Sequence, residues 1–142
     1  MSGATRGIYL ERRVSEDLAK LGWFTIRAAG SHGVADVVAI RRGQVVLVQC
    51  KTDGQIRGAE WNRLYDLGET LGAVPVVAQY ATATHRRIVY VHVTGHHKDR
   101  SREWPHHEWL PPLVHVVPID DATMAKVQEL ELERLHRTPR AT

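Results

Sequence analysis

Residues 36–51 read DVVAIRRGQVVLVQCK: two apolar, β-branched runs separated by Arg41-Arg42-Gly43-Gln44. Runs of this length and composition on either side of a turn signal predict a hairpin, with strands over Ala35 to Ile40 and Val45 to Lys51. If the chain reverses about Arg42-Gly43, Asp36 faces Gln49 across the ladder and their side chains leave the same face of the sheet. Lys51 lies two residues beyond Gln49 and shares that face. A carboxylate, an amide oxygen and an ammonium thus converge from local sequence alone.

Outward from the hairpin, the pattern alternates between helices and strands. Leu10, Val14, Leu18 and Leu21 recur at helical spacing and predict a helix from about Ile8 to Leu21, ended by Gly22. Trp23 to Ala28 predicts a strand, and Gly30-Ser31-His32-Gly33 a loop. After the hairpin, Trp61, Leu64, Gly68 and Leu71 mark the inner face of a helix over Gly58 to Leu71. Val74 to Tyr80 and Arg87 to Val93 predict two more strands. Thr94 to Pro112 is polar and rich in His and Arg, which predicts a long loop. Leu113 to Val117 fits a short strand, and Asp120 or Asp121 caps a last helix through about His136. The near-continuous apolar strands expect cover on both faces. The fold class is therefore α/β, a mixed central sheet flanked by helices, in one domain over residues 1–142.

Composition narrows the function classes. The single cysteine, Cys50, excludes an intrachain disulfide framework. No apolar run is long enough to span a bilayer, and Met1 to Gly7 lacks the apolar centre of a secretory signal. A cytoplasmic location is expected, in a host cell if the chain is viral. A net charge of +3 suits a polyanionic partner without requiring one. Arg6, Arg12, Arg13, Arg27 and Arg57 make the N-terminal half basic, and Arg41 and Arg42 are either a solvated turn or further phosphate contacts.

The Asp36, Gln49 and Lys51 grouping suits phosphodiester hydrolysis. That reaction needs a cation to neutralise phosphate charge and acidify a water, and Mg²⁺ prefers hard oxygen ligands. Asp36 offers the central carboxylate, Gln49 a neutral oxygen and the Cys50 backbone carbonyl another. Lys51 is placed to orient the nucleophile and stabilise developing charge. Glu11, at the edge of the first helix's apolar stripe, is the fourth candidate. Each has a plainer reading alone: Asp36 as a charged strand start, Lys51 snorkelling to solvent, Glu11 on a helix surface. The Cys50 thiol alternates away from Gln49 and Lys51 into the core.

Taken together, Arg6-Gly7, Glu11-Arg12, Gly22-Trp23, Arg27-Ala28-Ala29-Gly30-Ser31, Asp36-Val37-Val38-Ala39 and Gln49-Cys50-Lys51 resemble the archaeal-type Holliday junction resolvases of the PD-(D/E)XK nuclease superfamily. The resemblance is strongest from Arg6 to Leu71. It implies a restriction-endonuclease-like fold, catalytic positions at Glu11, Asp36, Gln49 and Lys51, and a loop serine, Ser31, that shapes the site. Ser31 is otherwise a loop hydroxyl satisfying backbone groups. The resemblance also implies phosphate contacts at Arg12 and Arg27, Mg²⁺ with Mn²⁺ as a substitute, and a homodimer that cuts four-way DNA junctions in two strands. A two-fold substrate suits a two-fold dimer. One departure stands out: the family has Glu where this chain has Gln49, which removes a negative charge from the metal site. Related superfamily nucleases with QxK remain active.

Two further readings stay open: a repair or restriction-like endonuclease for linear or damaged duplex, and a non-catalytic DNA-binding module, which Gln49 favours. The pairs His96-His97 and His106-His107 fit no common zinc spacing and lack a cysteine partner, so an exposed loop is expected. Trp104 and Trp109 in that loop either stack on bases, pack on a partner subunit or anchor the loop.

Overall fold

The computed structural model describes residues 3–28, 33–82, 87–111 and 121–136. The chain divides into two compact units, residues 1–112 and 113–142. The second unit contributes helix α3 (Asp121–His136), whose described side chains are all exposed. The expected strand over Leu113 to Val117 lies outside the described residues.

The first unit runs α1 (Gly3–Lys20), β1 (Phe24–Arg27), β2 (Val37–Arg41), β3 (Gln44–Lys51), α2 (Gly58–Leu71), β4 (Val74–Tyr80), β5 (Ile88–Val93), β6 (His106–Glu108). The six strands lie side by side in chain order. Every neighbouring pair is antiparallel except β3 and β4, which are parallel. Parallel neighbours need a crossover, and α2 supplies it.

Local chemistry explains the boundaries that matter. Arg42 (φ 42°) and Gly43 (φ 76°) occupy consecutive left-handed positions, the backbone of a tight primed hairpin turn. That turn fixes the register at Val37↔Val48, Val38↔Leu47, Ala39↔Val46 and Ile40↔Val45, the pairing read from the sequence. Gly68 lets α2 close onto the start of β4, because a Cβ there would meet the Ala73 carbonyl and the Pro75 ring at 3.0 Å. Helix α1 begins at Gly3, earlier than Ile8, and its stripe of Leu10, Val14 and Leu18 is fully buried.

The sheet separates two apolar layers. On one face α1 packs Leu10, Val14 and Leu18 against Val37, Ala39, Val46, Val48 and Val76. On the other, Trp61 and Leu64 of α2 pack against Leu47, Val77 and Val93. This two-sided cover is why β3 and β4 are nearly all apolar. Helix α2 packs on β3, β4 and β5. Beyond it, on the same face, Phe24 (67% exposed), Ile26 (47%) and Ile40 (38%) remain open to solvent.

The segment expected to be a long loop contains β6. Its His106–Glu108 backbone pairs with β5, and flanking bonds run from Thr94 N–H to the Pro105 carbonyl and from Trp109 N–H to the Tyr90 carbonyl, both 2.9 Å. Edge groups of β5 need partners, and a polar segment supplies them as well as an apolar one. Among the described residues no helix is long and apolar enough to cross a membrane.

Candidate active site

The β2–β3 hairpin opens at the end opposite its turn, and Asp36 stands there, one residue before β2. Its backbone N–H donates to the Val48 carbonyl and its Oδ2 accepts from the Cys50 N–H, both at 2.8 Å. These bonds clamp the carboxylate across the hairpin mouth. Glu11, Asp36, Gln49, Cys50 and Lys51 all line one cleft of about 400 Å³, together with Gly33, Val34, Arg57, Glu60 and Arg63. Glu11 arrives from α1 on one face of the sheet. Arg57, Glu60 and Arg63 arrive from α2 and its N-terminal flank on the other. The four residues selected from sequence are therefore brought together.

Two ion-pair systems order the cleft. Glu11 Oε2 lies 3.6 Å from Arg27. Lys51 Nζ lies 2.5 Å from Glu60 Oε2, and Arg57 Nε lies 2.6 Å from Glu60 Oε1. Their consequences differ in sign. Burial pushes the Glu11 carboxyl up from its ordinary range, the Asp36 carboxylate adds to this, and Arg27 only partly opposes it. Burial also raises Asp36, against the weaker pull of the Cys50 N–H and Lys51. Burial acts on Glu60 too, but bonds from Lys51 and Arg57 outweigh it and hold that carboxyl below its ordinary value. Burial drives the Cys50 thiol well up, so it is no thiolate nucleophile or ligand at neutral pH.

Asp36 and Glu11 are thus two acids crowded in one partly buried cleft, each disfavoured as an anion. A divalent cation relieves such a pair. Among the described residues no three His, Cys, Asp or Glu side chains gather at a metal-binding distance. Gln49 and Cys50 line the same cleft and offer an amide oxygen and a backbone carbonyl beside the two carboxylates, so the donors that could hold such an ion are hard oxygens.

Other sequence candidates fall in different places. Arg57 lines the cleft, and Arg27 is tied to it through its ion pair with Glu11. Arg6 and Arg12 are exposed on α1, and Arg13 is half-buried there. Arg41 and Arg42 are at the closed end of the hairpin, away from the cleft, and Arg41 lies over the Trp23 ring, 5.5 Å from its centroid. Ser31 lies outside the described residues. His96 pairs with Asp66 at 2.5 Å and His97 stacks on Trp104, so neither histidine of that pair joins a metal cluster. Trp109 packs edge-on to Trp23 and Tyr90 and anchors its segment on the α1 face. Glu60 and Arg63 are the residues that sequence reading missed. A signal existed for Glu60: an acid in the first turn of a helix, three residues after Arg57.

The archaeal Holliday junction resolvase (Hjc) family matches residues 2–97, which include every lining residue of the cleft. The crossover junction endodeoxyribonuclease Hjc of Methanocaldococcus jannaschii is 35% identical over 77 residues, covering 51% of this chain and 57% of that protein. The chain thus spans little more than half the length of this curated relative. The structure of Archaeoglobus fulgidus Hjc, a Holliday junction resolvase from an archaeal hyperthermophile, aligns at a TM-score of 0.51 with 22% identity. That alignment covers 59% of this chain and 74% of the other, and it supports the mixed-sheet nuclease fold.

Proposed function

Because this chain belongs to the archaeal Holliday junction resolvase (Hjc) family, we propose that it is a metal-dependent endonuclease that resolves four-way DNA junctions. The observation that carries the reading is the common cleft of Glu11, Asp36, Gln49 and Lys51. Glu11, Asp36, the Gln49 amide oxygen and the Cys50 carbonyl would hold Mg²⁺, with Mn²⁺ as a substitute, and such an ion would supply neutralisation of phosphate charge and a more acidic attacking water. Lys51 points its ammonium at the phosphate and stabilises charge on it. Glu60 fixes that ammonium in position through its 2.5 Å contact with Lys51 Nζ. Arg27, Arg57 and Arg63 rim the cleft and bind backbone phosphates, which position the DNA without reading its sequence.

The active form in this reading is a homodimer, working in the cytoplasm of its cell or of a host. The uncovered face at Phe24, Ile26 and Ile40 supports it, since a contiguous apolar patch on a sheet face is a natural subunit contact. Two sites related by a two-fold axis then meet two strands of a junction.

The test is cleavage of a synthetic four-way junction and of a linear duplex, with and without Mg²⁺. Wild type is expected to cut the junction in preference and only with metal. Asp36→Asn is expected to retain the gel-shifted complex and lose cutting. Undiminished cutting by that variant overturns the site. Gln49 favours one other reading, a junction-binding module without cleavage. Binding without cutting in both Mg²⁺ and Mn²⁺, with activity gained by Gln49→Glu, would establish it.

A further inference from the structure

A second cleft adjoins the first. In the parallel pairing of β3 and β4, Gln49 faces Val77 and Lys51 faces Gln79. Val77 faces Val91 on β5. Val77, Gln79 and Val91 floor a pocket of about 330 Å³ whose other lining residues include Gln55, Trp61 and Trp104. Its floor therefore begins one strand spacing, about 4.8 Å, from the side chains that line the catalytic cleft. The loop from Gly54 to Arg57 borders both, with Gly54, Gln55 and Ile56 in the pocket and Arg57 in the cleft.

The walls are rigid and aromatic. Trp61 and Trp104 meet edge to face with centroids 5.2 Å apart. The His97 ring stacks on Trp104 at 3.6 Å and 6°. Asn62 grips the His97 backbone with both ends of its amide, at 2.7 and 3.0 Å, and Trp61 Nε1 donates to the Gly95 carbonyl at 2.9 Å. By contrast, the side-chain amides of Gln55 and Gln79 have no hydrogen-bond partner among the described residues. Gly54, at φ +69°, turns the loop directly over Gln79, and a Cβ there would sit 3.0 Å from the Gln79 amide oxygen.

We propose that this pocket receives an unpaired nucleobase of the strand being cut, next to the phosphate held at Lys51, and so sets the nucleotide step that is cleaved. The inference rests on the nuclease reading of the adjoining cleft. Four features of the pocket and the cleft beside it match that occupant. The half-buried Trp104 ring, backed by the buried Trp61, binds a base by its apolar face. Two free amides offer both donors and acceptors to its polar edge, as an apolar peptide would not require. Arg57 and Arg63 of the adjoining cleft hold the connecting phosphates. The pairing of Lys51 with Gln79 on adjacent strands keeps base and scissile phosphate within one nucleotide's reach. A branch point is where a base leaves its stack at least cost, since pairing there is already disturbed.

The test has two readouts. Four-way junctions carrying 2-aminopurine at each nucleotide around the mapped cut report base unstacking on binding. Wild type is expected to change the fluorescence at one flanking position only. Trp104→Ala and the double variant Gln55→Ala/Gln79→Ala are expected to abolish that change. The double variant removes the amides of exposed Gln55 and half-buried Gln79, neither of which belongs to the apolar core. On a junction whose branch point migrates through varied sequence, wild-type incisions are expected to favour one flanking base by roughly tenfold, and the double variant to flatten that ratio. The ratio is taken within each reaction, so a slower variant still reports. Cutting by wild type with a silent reporter at every position, or with an incision pattern identical to the double variant's, overturns the inference and leaves the nuclease reading standing. Failure of wild type to cut any DNA removes both.

Discussion

The charged cleft and the aromatic pocket lie side by side on β3 and β4, yet they are built in opposite ways. In the cleft, Glu11 and Asp36 are buried enough to be disfavoured as anions, and only Glu60 is fully compensated by cations. In the pocket, Trp61 is 3% exposed and its ring nitrogen is bonded, so its walls are part of the core. One region holds unrelieved charge and contributes little to stability. The other is held together by the same contacts that hold the fold. Changes in the cleft should therefore alter chemistry, and changes in the pocket wall should alter the fold first.

The largest expected effect breaks the pocket side. Trp61→Ala empties a core position between α2 and the sheet and is expected to cost about 3–5 kcal/mol of stability. Urea unfolding of the variant reads this; an unchanged midpoint would show that Trp61 is not a core residue. Lys51→Met tests the other side. It should lower junction cutting by roughly 10²–10³-fold, the cost of losing one preorganised donor to developing charge. The urea midpoint should move little, and a large drop would mean that Lys51 acts through the fold.

Gln49→Glu sharpens the account of the cleft. A third carboxylate deepens the negative field, so the Mg²⁺ concentration giving half-maximal cutting should fall by roughly an order of magnitude. A metal titration of initial rates checks this, and an unchanged midpoint would remove Gln49 from the ligand set. The smallest effect concerns pH. The folded Glu60 carboxyl titrates below its ordinary value of 4.5, so its contribution to stability is present above that value and is lost as pH falls through the folded value. Glu60→Gln should therefore flatten the acid side of the stability profile below pH 4.5. Thermal melts of both proteins across that range compare directly. Glu11 and Asp36 carry the opposite sign: their raised values favour the fold at low pH, and that contribution disappears as pH rises through them.

What was legible in advance depended on range. The hairpin could be read because its turn is local: Arg42-Gly43 sets the register, and the register carries Asp36 to Gln49. Glu11 could be placed beside the stripe of Leu10 and Val14, though not yet beside Asp36. Arg41 shows the limit. Sequence treats it as a turn cation, but the β1–β2 register, with Phe24 opposite Ile40, brings it beside Trp23. Trp104 and Trp109 were equivalent as letters, and they went to opposite faces of the sheet, one beside Trp61 and the other against Trp23 and Tyr90.

The sequence by itself determined the order of elements from α1 to β5, the hairpin pairing and the meeting of Asp36, Gln49 and Lys51, because periodicity and turn geometry act over a few residues. Only the tertiary structure decided that Glu60 and Arg63 would enter from α2, that β6 would pair with the edge of β5, and that an aromatic pocket would open beside Lys51. Those contacts join segments far apart in the chain. They are fixed by how two helices close on opposite faces of one sheet, and no local pattern encodes that closure.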